Sequence, residues 1–213
     1  MSPILESIVT TLGGVLTGLT AGGLLLWRQQ KALRRWRHLA HHDDTTGLPN
    51  RRALLAKLDR ALHAGDPVGL VVLDLDRFKT INDTFGHEDG NHVLAVIGGR
   101  LAALVHPVRL TARLSGDEYA LLVTGHTEQV AYAASAAWRA VSRDPILLRN
   151  TWIRVSASVG HVTAGTGTTP AELLRAADMA MYEAKRTRTG IRAATTAGLH
   201  LPRHVRYRDL PRD

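Results

Sequence analysis

Cysteine is absent from the 213 residues of this chain, which excludes disulfides and thiolate metal centres and leaves oxygen and nitrogen as the available metal donors. The absence suits a reducing compartment. Charged residues are few, at 22% against 45% hydrophobic, the balance of a folded protein with one core rather than of a disordered chain. No internal repeat is present. Basic residues are scarce where a nucleic-acid groove would need them. The formal net charge is +8, yet from His38 to Glu183 acids slightly outnumber bases, and the excess lies in the two flanks. That distribution fits a membrane surface or a solvated tail better than a groove tracking a phosphate backbone, so no nucleic-acid partner is expected.

Charged side chains are missing altogether from Ser7 to Trp27. A helix of that length spans roughly 30 Å at about 1.5 Å per residue, enough to cross a hydrocarbon core. A secretory signal would carry basic residues ahead of the apolar run, whereas Glu6 is the one charged side chain there. The expectation is a transmembrane helix within residues 1–27, followed by a basic helical stalk over 28–42. Arg28, Lys31, Arg34, Arg35 and Arg37 would hold the C-terminal side in the cytoplasm by the positive-inside rule. Gly14, Gly18 and Gly22 share one face, a spacing that lets two membrane helices approach closely. At the other end, residues 193–213 mix Pro, Gly, Arg and His without periodicity and are expected to form a disordered basic tail.

Between the flanks, helical and strand patterns alternate. Asn50 is a suitable N-cap for a helix from Arg51 to His63, whose Leu54, Leu55, Leu58 and Leu62 mark one apolar face, and Gly65-Asp66-Pro67 ends it. Val68 to Leu73 is a continuous apolar run that reads as a buried strand ending in Asp74-Leu75-Asp76. The chain then turns through Phe78-Lys79, Asn82-Asp83 and Gly86-His87, before Asn91 opens a helix carrying Val93, Leu94, Ile97, Leu101 and Leu104. Val108 to Leu114 and Tyr119 to Val123 suit two strands joined by a Ser-Gly-Asp turn. A helix from Thr127 to Ser142, a strand from Trp152 to Val162 and a helix from Pro170 to Arg186 follow. The spacing by itself supports an α/β domain.

The hairpin tip, Ser115-Gly116-Asp117-Glu118, sets two carboxylates side by side. A Gly-Asp pair alone usually serves a turn. Here a second acidic cluster stands at the end of the buried strand. If that strand pairs with the hairpin, Asp74, Asp117 and Glu118 converge within metal-binding distance, and hard oxygen donors of this kind suit Mg²⁺ or Mn²⁺ with a phosphate substrate. Without a cation the three would repel one another.

Ser115-Gly116-Asp117-Glu118-Tyr119 resembles the signature of the diguanylate cyclase, or GGDEF, domain, with Ser for the first Gly and Tyr for the final Phe. The resemblance extends to Asp43-Asp44-Thr45-Thr46-Gly47-Leu48-Pro49-Asn50-Arg51-Arg52, similar to the D-x-L-T-G-L-x-N-R-R opening of such domains. It extends also to Asp74 through Asn91, to Ser158-Val159-Gly160, and to Ala177 through Lys185. Five ordered blocks place the domain at 43–192.

The resemblance implies a nucleotide-cyclase or polymerase-palm core, with a mainly antiparallel central sheet flanked by helices. It implies a bacterial enzyme that condenses two GTP into cyclic di-GMP at a homodimer interface, here single-pass in the cytoplasmic membrane with its catalytic domain in the cytoplasm. Asp74, the Leu75 carbonyl, Asp117 and Glu118 would hold Mg²⁺ or Mn²⁺, with Asp117, Glu118 and Lys79 catalytic. Phe78, Lys79 and Lys185 would meet the phosphates, and Asn82 with Asn91 the guanine edge.

Three departures stand out. The family usually has Asp where Asn91 stands; an amide offers one acceptor oxygen and a donor instead, and an imperfectly paired polar edge costs about 1–3 kcal/mol. Thr189 replaces a usual Arg four residues after Lys185, a place that Arg186 or Arg188 would have to fill. The window for an R-x-x-D product site reads His106-Pro107-Val108-Arg109, so feedback inhibition through that site is not expected. A catalytically weak GTP-binding or protein-docking module is the alternative function.

Overall fold

The computed structural model describes residues 22–24, 27–29 and 40–194. The chain divides into two compact units, Met1–Ala40 and His41–Asp213. In the first, the described residues are Gly22-Gly23-Leu24, Trp27-Arg28-Gln29 and Ala40, all helical. The expected membrane-crossing helix is not supported, because no helix among the described residues is long and apolar enough to cross a membrane. Such a helix needs about 20 consecutive apolar residues. The single-pass membrane placement falls with it. The rest of Ser7–Trp27, with Gly14 and Gly18, residues 30–39 of the stalk and the tail from residue 195 lie outside the described residues.

The second unit begins with a tight turn, in which Asp43 Oδ1 accepts hydrogen bonds from Thr46 N at 2.9 Å and Thr46 Oγ1 at 2.7 Å. Helix α1 (Arg51–His63) follows, with the Asn50 side chain accepting from Ala53 N at 3.1 Å as an N-cap. Then come β1 (Val68–Leu75), α2 (Phe78–Phe85), α3 (His87–Ala102), β2 (Val108–Ser115), β3 (Glu118–Thr124), α4 (Thr127–Ser142), β4 (Ile146–Leu148), β5 (Thr151–Ile153), β6 (Ala157–Thr163), α5 (Pro170–Thr187) and β7 (Ile191–Ala194). Pro170 at the first turn and a reciprocal Thr169–Glu172 capping box start α5.

Five strands form one sheet in the order β2-β3-β1-β6-β7, and β4-β5 form a separate hairpin. The sheet is mixed, which corrects the expectation of a mainly antiparallel sheet at one of its four pairings. β1 pairs antiparallel with β3 and β6, and β2 with β3, but β6 and β7 run parallel. The reason is the connection: β7 returns to β6 through α5, and a helical crossover brings a strand back in the same direction.

β1 occupies the centre, which explains its unbroken apolar run. Val71, Leu73 and Leu75 pack into a core with α3 and α4, while Val68, Leu70 and Val72 pack into a second core with α1 and α5. On β6, a Cβ at Gly160 would lie 2.1 Å from the Ala177 carbonyl oxygen, so α5 crosses directly on the strand backbone. That close approach sets the height at which α5 delivers its C-terminal residues to the end of the sheet.

Tyr119 is fully buried, and its hydroxyl donates to the Leu94 carbonyl at 2.8 Å. Burial pushes its ionisation far above the ordinary tyrosine range, so the phenol stays a donor. This bond ties the first turn of β3 to the middle of α3, a task a phenylalanine could not perform. Tyr119→Phe is therefore expected to cost about 1 kcal/mol in urea unfolding with an unchanged slope, because the hydrogen bond to the Leu94 carbonyl is lost.

Candidate active site

Antiparallel register does the first part of the work. Asp74 stands directly opposite Glu118 on β3 and opposite Ser158 on β6. The turn between β2 and β3 needs a residue at φ +52°, which Gly116 supplies, and it puts Asp117 next to Glu118. The Leu75 amide donates to the Asp117 carbonyl at 3.3 Å, pinning the tip against the end of β1. Asp74, Asp117 and Glu118 thus lie at one end of the sheet, but not gathered within metal-binding distance as the acidic spacing implies.

Asp74 is 13% exposed and forms an ion pair with Lys185, Nζ to Oδ1 at 2.5 Å. Its carboxyl is nevertheless pushed up to about 6, by burial first and by the neighbouring Asp117 charge second, which together outweigh the lysine. Asp117 also lies above the ordinary carboxylate range, chiefly through burial. Burial pulls the Lys185 ammonium down, but the hydrogen bond and charge of Asp74, with Asp117 and Asp76 behind it, hold it above its usual value. Glu118 accepts from Ser115 Oγ at 2.9 Å, a bond available because Ser stands at the first signature position.

Among the described residues, no group of three or more His, Asp or Glu side chains is gathered tightly enough to form a metal cage. The donors are still of the right chemistry for a hard divalent cation. Three carboxylate-bearing residues adjoin, two of them resist ionising, and an ammonium already occupies a cation's position at Asp74 Oδ1.

The other expected residues separate by environment. Phe78 is buried in the core, so its backbone is what it offers to a ligand. Helix α2, which it opens, has no side-chain cap, leaving its first amides available to an anion. Lys79 is exposed on the next position. Asn82 lies on α2 against α3 at Gly90, where a Cβ would stand 1.9 Å from Asn82 Oδ1; only glycine permits that approach. Asn91, the next residue on α3, is exposed. The α3 helix starts at His87 rather than at Asn91, and α2 is a helix where the sequence reads as a turn. Arg109, in the window of the missing product site, is bound to Asp66 at 2.9 Å.

Two features escape the sequence reading. Arg113, 9% exposed, donates Nη1 to both oxygens of Asp43, at 2.8 and 3.0 Å, and Nε to the Gly116 carbonyl at 2.8 Å. Burial alone would raise Asp43, but the bonds from Arg113 and Thr46 hold it below the ordinary range. The hairpin tip is thereby tied to the turn that opens the domain. Asp76 accepts from Ser156 Oγ at 2.7 Å and Ser158 Oγ at 2.8 Å. The period of two that puts Asp76 on the face of Asp74 is the signal that could have found it; the Arg113–Asp43 pair spans 70 positions and leaves no such trace.

An acid raised in the folded state destabilises that state once it ionises. The Asp74 contribution is therefore favourable below about 4, is lost as pH rises through 4 to 6, and stays lost above. Asp74→Asn is expected to raise stability at pH 7 by on the order of 1–3 kcal/mol and to flatten that part of the stability profile, measured by urea unfolding from pH 4 to 8 without divalent metal.

Comparison with known proteins matches residues 40–190 to the family described as diguanylate cyclase, GGDEF domain. The response regulator PleD of Caulobacter vibrioides is 39% identical over 155 residues, covering 69% of this chain and 34% of PleD. The cyclic di-GMP phosphodiesterase PdeR of Escherichia coli is 36% identical over 172 residues, covering 78% of this chain and 26% of PdeR. The chain spans about a quarter to a third of the length of these curated relatives. Among solved structures, the coiled coil and GGDEF domain of DgcB from Caulobacter crescentus, in complex with c-di-GMP, superposes with a TM-score of 0.78 at 28% identity, covering 84% of this chain and 99% of that one. With the acids, the lysine and the sheet arranged as described, this chain belongs to the diguanylate cyclase, GGDEF domain, family.

Proposed function

We propose that this chain is a diguanylate cyclase that condenses two GTP molecules into cyclic di-GMP, releasing two pyrophosphates. The observation that carries the proposal is the meeting of Asp74, Asp117 and Glu118 with a cation, Lys185, at the end of the central strand. A divalent ion, Mg²⁺ or Mn²⁺, held by Asp74, the Leu75 carbonyl, Asp117 and Glu118, would supply Lewis acidity toward the 3′-hydroxyl and the α-phosphate.

The chain's own groups do the rest. Asp117, raised by burial, is suited to take the 3′-hydroxyl proton as that oxygen bonds to the α-phosphorus of the second nucleotide and the bond to pyrophosphate breaks. Lys79, Lys185 and the open amides at Phe78 hold phosphate oxygens. Glu118, anchored by Ser115, fixes the far side of the acidic cluster. Asn82, steadied against Gly90, and Asn91 face the guanine edge. Each chain brings one GTP, so two copies must face each other, and the reaction needs a homodimer. The R-x-x-D pattern is absent and Arg109 is committed to Asp66, which supports a cyclase without product inhibition through that site.

The second reading is a catalytically weak GTP-binding or docking module. Asn91 and Thr189 favour it, and so does a relative that is named for the opposite activity.

A product assay of the full chain with GTP and Mg²⁺ or Mn²⁺ separates the two. Cyclic di-GMP is expected from the parent, with Glu118→Gln reducing its rate at least about a hundredfold. Asn91→Asp is expected to lower KM for GTP about tenfold, by restoring the second acceptor. No product from a folded dimer that still binds GTP would sink the cyclase reading in favour of the module.

A further inference from the structure

The β4–β5 hairpin carries no residue of the acidic cluster, yet one of its side chains reaches the joint between α2 and α3. Ile146 and Leu148 are buried in the same core as Phe78 and Val93, so the hairpin has a fixed place beside both helices. Leu148 pairs with Thr151, and the two residues between them, Arg149 and Asn150, both take left-handed backbone, with φ of 43° and 69°. A two-residue turn of this hand matches the twist of the strands and prefers glycine or asparagine. Asn150 meets that preference. Arg149 holds the conformation at a cost, which a fold tolerates where the side chain has a task at that point.

The task is visible in its contacts. Arg149 Nε meets Asp89 Oδ2, on the first turn of α3, at 2.5 Å. That oxygen is shut off from solvent and has no aligned hydrogen bond, so the guanidinium is what compensates its charge. The same guanidinium covers Gly86, where a Cβ would stand 3.7 Å from Nη2. Gly86 is the joint itself, ending α2 and capping α3 at φ +89°. Its amide donates to the Asn82 carbonyl at 2.8 Å, and its carbonyl accepts from Gly90 N at 3.1 Å. Arg149 therefore bears on the joint at Asp89 and Gly86, with Asn82, seated on Gly90, on one side of it and Asn91 on the other.

We infer that Arg149 is a positioning residue for base recognition: by holding Asp89 it sets the angle between α2 and α3, and with it the spacing of the Asn82 and Asn91 amides. The inference rests on the guanine reading of those two amides given above. Arg149 acts through Asp89 rather than on the nucleotide. The phosphate-binding groups stand elsewhere, at Lys79, Lys185 and the first amides of α2, the end of that helix away from the joint. A loosened joint thus reaches the base and spares the phosphates.

Titration calorimetry of the full chain with GTP, ATP and tripolyphosphate, each with Mg²⁺, beside the cyclic di-GMP assay, tests this. Arg149→Ala is expected to weaken GTP binding about tenfold and to leave tripolyphosphate binding within about twofold, and Arg149→Lys, which keeps a charge for Asp89, to recover most of the loss. Adding Asp89→Asn to Arg149→Ala is expected to cost nothing further, because the two residues act as one pair; the double variant also removes the uncompensated carboxylate and so guards the fold, which circular dichroism checks. Unchanged GTP binding in Arg149→Ala overturns the inference. Equal losses for GTP and tripolyphosphate overturn it too, because the effect is then one of charge and not of the base. A parent that prefers GTP to ATP by less than about twofold overturns it as well, since there is then no base contact to position. A parent that shows the expected pattern and makes no cyclic di-GMP upholds the inference, and the cyclase reading alone fails.

Discussion

The structure depends on a carboxylate kept out of water. β1 is buried on both faces and ends at Asp74, so the charge of that residue lies at the end of the most apolar segment of the domain. A lone carboxylate there would shed its charge, and Asp117 beside it makes ionisation harder still. Lys185 eases the situation without resolving it, since the carboxyl remains raised to about 6 with the ammonium in contact. The protein's own groups therefore leave this point short of positive charge, a condition that favours the binding of a further cation. Stability has been given up where chemistry needs it, and the two packed cores on either side of β1 are what allow the fold to carry that cost.

Every other part of the site follows from delivering groups to that point. The β2–β3 turn brings Asp117 and Glu118, register aligns Glu118 with Asp74, and α5, pressed on the Gly160 backbone, carries Lys185 to it. The α2–α3 pair contributes from another side and is held in contact by the missing side chain at Gly90. None of these elements is a mobile loop. The acids and lysine sit on strands, a tight turn and a helix end, which is the arrangement that preserves geometry to a fraction of an ångström.

Much of this was legible in the sequence, and the limits are physical. Helix α1 and its Asn50 cap, the hairpin at Gly116 and the buried strand ending at Asp74 were readable, because period, cap and turn chemistry are local signals. Helix α2 was not. Its eight residues, with Asn82 and Asp83 inside and Gly86 after, carry turn chemistry, and tertiary contact with α3 decides the matter. The parallel β7 was hidden because a four-residue strand has no period to show. A membrane helix was read from a stretch without charge, and the described residues do not bear it out. At the candidate site, the placing of Asp74, Asp117 and Glu118 at one end of the sheet was legible in their spacing. The Arg113–Asp43 pair was not, since it is assembled from segments far apart in the chain.

The clamp at Arg113 turns the domain into a pair of calipers. One guanidinium holds Asp43, at the entry to the domain, and the Gly116 carbonyl, at the hairpin tip. Entry point and acidic tip are thus two ends of a single stiff part. In the homodimer proposed above, the spacing and angle of the two entry points would together set the gap between the hairpins. A partner or preceding segment that spreads or closes the chains at His41 needs no contact with the acids to bring them into or out of range.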